Sequence, residues 1–422
     1  MMSTIATSKI RDEEDKYLVV DSGLDDKPLT AMETIGYIVG ANIGAGVLSL
    51  AYASRKAGFI PLLVCLALTY IICTISMLYV AESCLRTKGS RQISGLTHRY
   101  LGKIGSWIVF LGVAGVCYGA LTAYMAGSGD ILHAFFGEKF GLSKTMGSLI
   151  FFIPAIGVMY IGFKALGIAQ KVISLGMSGV IAMLIVATFF HQDTHLSYLL
   201  ESNWEFVIPI FNVAVFILGA QFLVPEIVRG NKETAKEVPK LIITGMGLVL
   251  LIVIIIPASV IALVGLDNIT QVATLSWGAK LGNWAFYAAS SFALLAILTS
   301  YWGLGGALFS NMFDHLQLGS ENNKLRRIIC LALIGLPPFL LAYMGKAGFV
   351  NALYFSGTIG GIVMGILPPF LLRQSRKNGD RIPEFTCGII AHPALQSIII
   401  LVFVLSGVYA LAQVFGMLPA SW

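Results

Sequence analysis

Charge is what this sequence has least of. Of 422 residues, 12% are Asp, Glu, Lys or Arg and 57% are hydrophobic, whereas soluble domains carry about 25% charged residues. An ordinary soluble globular domain is thereby excluded. Cysteine is sparse as well: Cys65, Cys73, Cys84, Cys117, Cys330 and Cys387 lie scattered, mostly in apolar runs, with no CxxC pair and no histidine cluster beside them. That spacing excludes a zinc framework and predicts free thiols. Histidine is equally thin, and its six copies fall in loops and at segment ends, with no paired carboxylates or nucleophile arrangement at mid-membrane depth. An enzyme is not expected. A cleavable leader pattern is also missing, because residues 1–32 are polar and begin Met-Met-Ser-Thr.

What the sequence has in abundance is long apolar runs. About twenty apolar residues cross a bilayer as a helix. By that measure eleven crossings are expected, at 33–54, 59–83, 104–133, 147–163, 170–190, 205–228, 239–264, 282–313, 328–345, 348–372 and 393–416. Residues 1–32 read as a soluble tail on the cytoplasmic side. Pro28, Thr30 and Glu33 mark the start of the first helix. With the N-terminus inside, 22 of the 28 basic residues fall on the cytoplasmic side. The positive-inside rule therefore predicts a cytoplasmic N-terminus and an external C-terminus in a plasma (inner) membrane. The net charge of +6 follows from this topology and calls for no nucleic-acid partner.

Within the first crossing, Gly40-Ala41-Asn42-Ile43-Gly44-Ala45-Gly46 puts three glycines in seven residues. Glycine loosens a helix interior. A locally unwound turn at membrane depth exposes N–H and C=O groups that can line a binding cavity. The half-helix after it would aim its positive end at a carboxylate. A small-xxx-small packing face at Gly40 and Gly44 is the competing reading. The sixth crossing has Gly219 in mid-span, with Gln221 and Pro225 following, and lies five crossings after the first. A proline kink would explain it alone, but paired interruptions in two five-helix halves point to an inverted-repeat transporter with a midplane site. In the eighth crossing Ala296, Thr299 and Ser300 share one face. Their carbonyl and hydroxyls are ligands for a small cation, or else ordinary bonds back to the helix's own turn.

Five acids lie in or at the ends of crossings, Glu33, Glu82, Asp130, Glu226 and Asp314. Of these, only Asp130 and Glu226 are expected at any depth, near helix ends where snorkelling competes with function. Trp107, Trp204, Trp277 and Trp284 fall near crossing ends and are expected as interfacial anchors. Trp302 lies mid-helix and is expected near the site.

The run Ile43-Gly44-Ala45-Gly46-Val47-Leu48-Ser49-Leu50-Ala51-Tyr52, followed by Ala57-Gly58, resembles the first helix of permeases of the amino acid/polyamine/organocation superfamily. Leu121 to Gly129, Phe216 to Pro225, Phe292 to Ser300, and Gly360-Gly361 to Pro368-Pro369 extend the resemblance, most nearly to the hydroxy/aromatic amino acid and amino acid/auxin branches.

The resemblance implies an all-α membrane protein with the leucine-transporter fold: a first repeat at 33–190, an inverted second repeat at 205–372, and an eleventh helix at 393–416. It implies secondary active transport of a neutral, aromatic amino acid, with small hydroxy or aliphatic amino acids as the alternative. A non-transporting sensor, like a germinant-receptor subunit, is the rival of another class. Ala41, Asn42, Gly44, Ala45, Gly46, Phe216, Ile217, Gly219 and Gln221 would line the substrate, with either Tyr118 or Tyr124. The N–H groups of Gly44, Ala45 and Gly46 would hold the carboxylate, and the carbonyls of Ala41, Phe216 and Ile217 the ammonium. A sodium site would use Gly40, Ile43, Ala296, Thr299 and Ser300. Proton coupling is the alternative, although Lys171 lies too near the start of the fifth helix to carry it. Lys27 and Asp314 would form an inner gate. The resemblance implies no cofactor beyond a coupling Na+ or H+, and leaves the oligomeric state open.

Overall fold

The computed structural model describes residues 28–89, 92–161, 166–316, 318, 323–345 and 347–418. Helix α1 (Ala31–Asn42) starts on the expected cap: the Thr30 side chain accepts from Glu33 N–H while the Glu33 carboxylate accepts from Thr30 N–H at 2.9 Å. A one-turn 3-10 segment, Ala45–Ser49, leads into α2 (Leu50–Ala53). The chain continues through α3 (Phe59–Leu85), α4 (Ile93–Phe140), α5 (Lys144–Ile161) and α6 (Leu166–Phe189). Next come α7 (Val207–Leu218), α8 (Val224–Gly230), α9 (Val238–Val264), the short α10 (Ala273–Leu281) and α11 (Asn283–His315). The last elements are α12 (Lys324–Tyr343), α13 (Phe349–Gly360), α14 (Ile366–Asn378) and α15 (Pro393–Val414). Among the described residues no strand forms beyond an isolated bridge, Gly58 to Ser202.

Among the described residues, eight helical stretches are long and apolar enough to cross a membrane, nine if the bent pair Ala31–Asn42 and Ala45–Ala53 counts as one. The fourth expected crossing falls on α5 (Lys144–Ile161) and the fifth on α6 (Leu166–Phe189). The third is longer than expected, because the helix runs from Ile93 through a break at Gly102, whose φ of +72° suits glycine.

Close helix approach in lipid depends on small residues, and α4 supplies them on one face. A Cβ on Gly112, Gly115, Gly119 or Gly127 would come within 2.9 Å of Val363, Ile359, Ser356 or Phe349. The α13–α14 rod therefore seats directly on the α4 backbone. Helix α1 is fixed on its other side by Ile38 against Gly245 of α9 and by Asn231, whose amide donates to Thr34 Oγ1 at 2.9 Å.

Trp277 departs from its expected interfacial role. It is fully buried, and its indole N–H donates to Thr188 Oγ1 at 2.7 Å. It sits on α10, a helix that folds back over the bundle, so proximity to a crossing end in sequence did not place it at the lipid boundary. Trp107, Trp204 and Trp284 are exposed. Trp302 is held by α5, donating to the Ala155 carbonyl at 3.1 Å.

Candidate functional site

Both expected interruptions are present, and each is narrower than the glycine pattern suggested. Helix α1 continues past Gly40 to Asn42, since Ile43 N–H still bonds the Val39 carbonyl. Ile43, at φ −87° and ψ 80°, and Gly44, at φ −121° and ψ −162°, leave the helical region, and the two halves meet at a 44° bend. In an unbroken helix the N–H groups of Gly44 and Ala45 would close onto the carbonyls of Gly40 and Ala41. Here Gly44 N–H turns onto the Asn42 carbonyl at 3.1 Å, and Ala45 N–H is taken by Ser300 Oγ of α11 at 3.2 Å. The carbonyls of Gly40 and Ala41 thus lose their helical donors. At the second break, Ala220 N–H bonds the Leu218 carbonyl at 3.0 Å, which frees the Phe216 carbonyl in the same way.

The two breaks touch. A Cβ on Gly46 would lie 2.9 Å from Phe216 Cε1 and 3.1 Å from Ile217 Cγ1, and one on Gly44 2.8 Å from Ser300 Oγ. Glycine is needed at both positions because another element occupies the space a side chain would fill. Asn42 turns away from the break: it is buried and its amide donates to the Ile38 carbonyl at 2.8 Å.

The two candidate tyrosines separate. Tyr124 is buried with its hydroxyl toward Ser300, so α4, α11 and the first break converge on Ser300. Tyr118 donates instead to the Leu333 carbonyl of α12 at 2.9 Å. Ser300 Oγ accepts from Ala45 N–H, and Thr299 Oγ1 donates to the carbonyls of Leu295 and Ala296, each at 3.1 Å. Gln221 reaches toward Cys73 on α3, and its Oε1 is buried with no hydrogen-bond partner. Lys27 and the side chain of Asp314 lie outside the described residues.

The surroundings of the breaks are asymmetric. On one side a Cβ at Gly357 of α13 would fall 1.9 Å from the Asn212 carbonyl of α7, and Asn203 N–H bonds the Ala57 carbonyl at 2.7 Å. On the other, Gly36, Gly40 and Ala41 of α1 and Gly303, Ala307 and Ser310 of α11 are exposed. A Cβ at Gly36, Gly40 or Gly303 would meet nothing within 4 Å. On that side, among the described residues, small side chains of α1 and α11 are left uncovered.

Sequence reasoning missed one polar centre. Glu82, taken as a helix-end acid, is fully buried. Arg376 donates to both its oxygens, at 2.8 and 2.9 Å, Arg86 at 2.9 Å and Cys387 N–H at 2.7 Å. The Arg86 spacing was visible, but Arg376 and Cys387 lie some three hundred residues away. Two further acids are paired: Asp130, within α4, with Lys144 at 2.7 Å, and Glu226, in the first turn of α8, with Arg229 and Gln92. Burial, and then the Glu82 carboxylate, push the Cys387 thiol up, so it stays protonated.

A family model described as the tryptophan/tyrosine permease family matches residues 30–413. Tyrosine-specific transport system 1 of Haemophilus influenzae is 25% identical over 358 residues, covering 82% of this chain and 88% of that protein. A tryptophan-specific transport protein of Pseudomonas aeruginosa is 21% identical over 363 residues, covering 81% and 85%. Glutamine transporter 2 of Aliivibrio fischeri is 20% identical over 351 residues, covering 80% and 87%.

Proposed function

The chain belongs to the tryptophan/tyrosine permease family, and from that premise we propose that it carries a neutral aromatic amino acid across the plasma membrane by secondary active transport. A permease family is not an enzyme family, and the helices are those of an integral membrane protein. In this reading eleven crossings form two inverted five-helix repeats plus a last helix, with the N-terminus cytoplasmic. The substrate lies where α1 and α7 break.

The observation that carries the proposal is the contact of the two breaks, Gly46 against Phe216 and Ile217, with Ser300 bonded to the first. The carbonyls of Ala41 and Phe216 have lost their helical donors and suit an ammonium group. Ala45 N–H, at the start of the second half-helix, suits a carboxylate, which would take the place of the Ser300 hydroxyl. Phe216 supplies an aromatic wall, and Tyr124 rather than Tyr118 borders the site. Close packing on the Gly357 side and the uncovered small residues on the other fit a state accessible from the cytoplasm, one half of an alternating-access cycle. A coupling cation, Na+ or H+, would shift the balance between the two states by binding one of them better.

The test is thermal stability of the purified protein with each of the twenty amino acids, in sodium and in choline, at two pH values. Stabilisation by tryptophan or tyrosine is expected. A sodium requirement supports the Thr299 and Ser300 site, and a pH requirement without sodium assigns coupling to protons. Stabilisation by glutamine or serine alone, with no aromatic response, would overturn the aromatic assignment. Ligand-dependent stabilisation without concentrative uptake into liposomes would overturn transport.

A further inference from the structure

The spanning stretch Phe349–Asn378 changes helix type halfway: α13 ends at Gly360, a π turn takes Gly361–Gly365, and α14 resumes at Ile366. A π turn inside an α-helix is rare and often marks a functional position. Its cause is visible in the residues that follow. Pro368 and Pro369 have no N–H, so the carbonyls of Met364 and Gly365 find no donor four residues on. The stretch is therefore short of α-helical backbone bonds at the point where it widens.

The two halves are held by different neighbours. Before the turn, α13 belongs to α4: the seats of Phe349, Ser356, Ile359 and Val363 against the α4 glycines end inside the turn, and Ser356 Oγ donates to the Val116 carbonyl at 2.6 Å. After the turn, α14 belongs to α3: Arg376 donates to the buried Glu82 carboxylate at 2.8 and 2.9 Å, and Ser375 Oγ lies 3.0 Å from Ser83 Oγ. Helix α3 in turn packs along α7 and α8, on both sides of the second break. Helix α15 crosses the turn as a splint. Tyr354 of α13 donates to its Gln413 at 2.7 Å, and Arg373 of α14 to its Gln396 at 2.6 Å. At the turn itself α15 offers side-chain contact: a Cβ on Gly361 or Gly365 would fall 2.9 or 2.2 Å from the Phe403 ring. Glycine at both positions leaves the notch that this ring fills.

We propose that the π turn Gly361–Gly365 is a hinge at which α14 follows α3 while α13 stays seated on α4. The inference rests on the transport reading above, because alternating access moves one group of helices against the other. Here α3 with the broken helix α7–α8 forms one group and α4 with α13 the other, and the stretch 349–378 is anchored in both. A rigid helix could not follow both anchors. Bending at the turn costs no α-helical bond at Met364 or Gly365, since the prolines have already removed them.

The experiment uses the full-length protein. Pro368→Ala/Pro369→Ala returns two backbone donors and favours an unbroken helix. Pro337→Ala/Pro338→Ala makes the same change in α12, where a proline pair also lies inside a helix, and serves as control. Unfolding temperature, stabilisation by tyrosine or tryptophan, and initial uptake into liposomes are read for each. The hinge variant should unfold no lower than wild type and keep its stabilisation by the amino acid, while uptake falls about tenfold, the worth of two added backbone hydrogen bonds. Wild-type uptake in the hinge variant, or an equal fall in the control, would overturn the hinge. Amide hydrogen exchange on wild type gives a second reading whether or not the variant folds. On adding the stabilising amino acid, exchange should change most at residues 361–367, and a uniform change along 349–378, or none, would overturn the hinge. Absence of both uptake and any amino-acid response in wild type would instead overturn the transport reading beneath it.

Discussion

The two sides of the paired breaks are built from the same residue types to opposite effect. On the α7–α13 side glycine is a contact: Gly357 leaves no room for a methyl group against the Asn212 carbonyl. On the α1–α11 side glycine is a gap, and Gly36, Gly40 and Gly303 face open space. Small residues in a membrane bundle either let two backbones meet or keep a path clear. Which of the two a given glycine does depends on what stands opposite.

Replacing glycines on each side tests this contrast directly. The largest effect is expected for Gly357→Ala. Its Cβ meets backbone, which cannot rotate away, so α7 and α13 must separate; such overpacking costs about 1–3 kcal/mol. Initial uptake in liposomes should fall by about tenfold or more, and near-normal uptake would show that close packing on this side is dispensable. Gly44→Leu comes next: the side chain displaces Ser300 from Ala45 N–H, and amino-acid-dependent thermal stabilisation should vanish while the protein remains folded. Retained affinity would refute a carboxylate site at the first break.

Thr299→Ala combined with Ser300→Ala should cost the fold about 1–3 kcal/mol for the lost hydroxyl bonds. It should also remove any sodium response of substrate binding. An unchanged sodium response would place the cation elsewhere. On the open side, Gly40→Ala should raise the unfolding temperature slightly, since alanine favours a helix by about 1 kcal/mol. Destabilisation would mean that another group occupies the space beside Gly40 in the resting protein.

Smallest of all is Asp193→Asn. Lys280, hydrogen-bonded to Asp193 at 3.0 Å, holds that carboxyl below the usual carboxylate range. Any contribution is therefore present above that range and fades only as pH falls through the lowered value. For a pair this exposed, wild type and variant should melt alike near neutral pH. A clear difference there would point to a structural role for the loop.

The two helix breaks were legible because their causes are local. The glycines around Gly44 and Gly219 mark weak points in apolar helices, and both helices break there. The extent of each break was not legible. Gly40 remains helical because Ile43 N–H still finds the Val39 carbonyl, a matter of backbone closure that a count of glycines does not capture. Likewise Thr299 and Ser300 share a helix face by spacing alone, but the partners their hydroxyls take depend on what packs against that face.

The sequence by itself determined the class of the molecule, the course of its apolar runs and the positions where two helices give way. These follow from hydropathy, glycine propensity and the bilayer's demand that backbone groups be satisfied within each helix. Only the tertiary structure decided that Tyr124 rather than Tyr118 meets Ser300, that Trp277 is core, and that Glu82 is buried among Arg376, Arg86 and Cys387. Each of those outcomes joins residues far apart in sequence, in the case of Glu82 and Arg376 by 294 positions. Side-chain periodicity assigns a residue to a face of its own helix, whereas packing selects which neighbour that face meets.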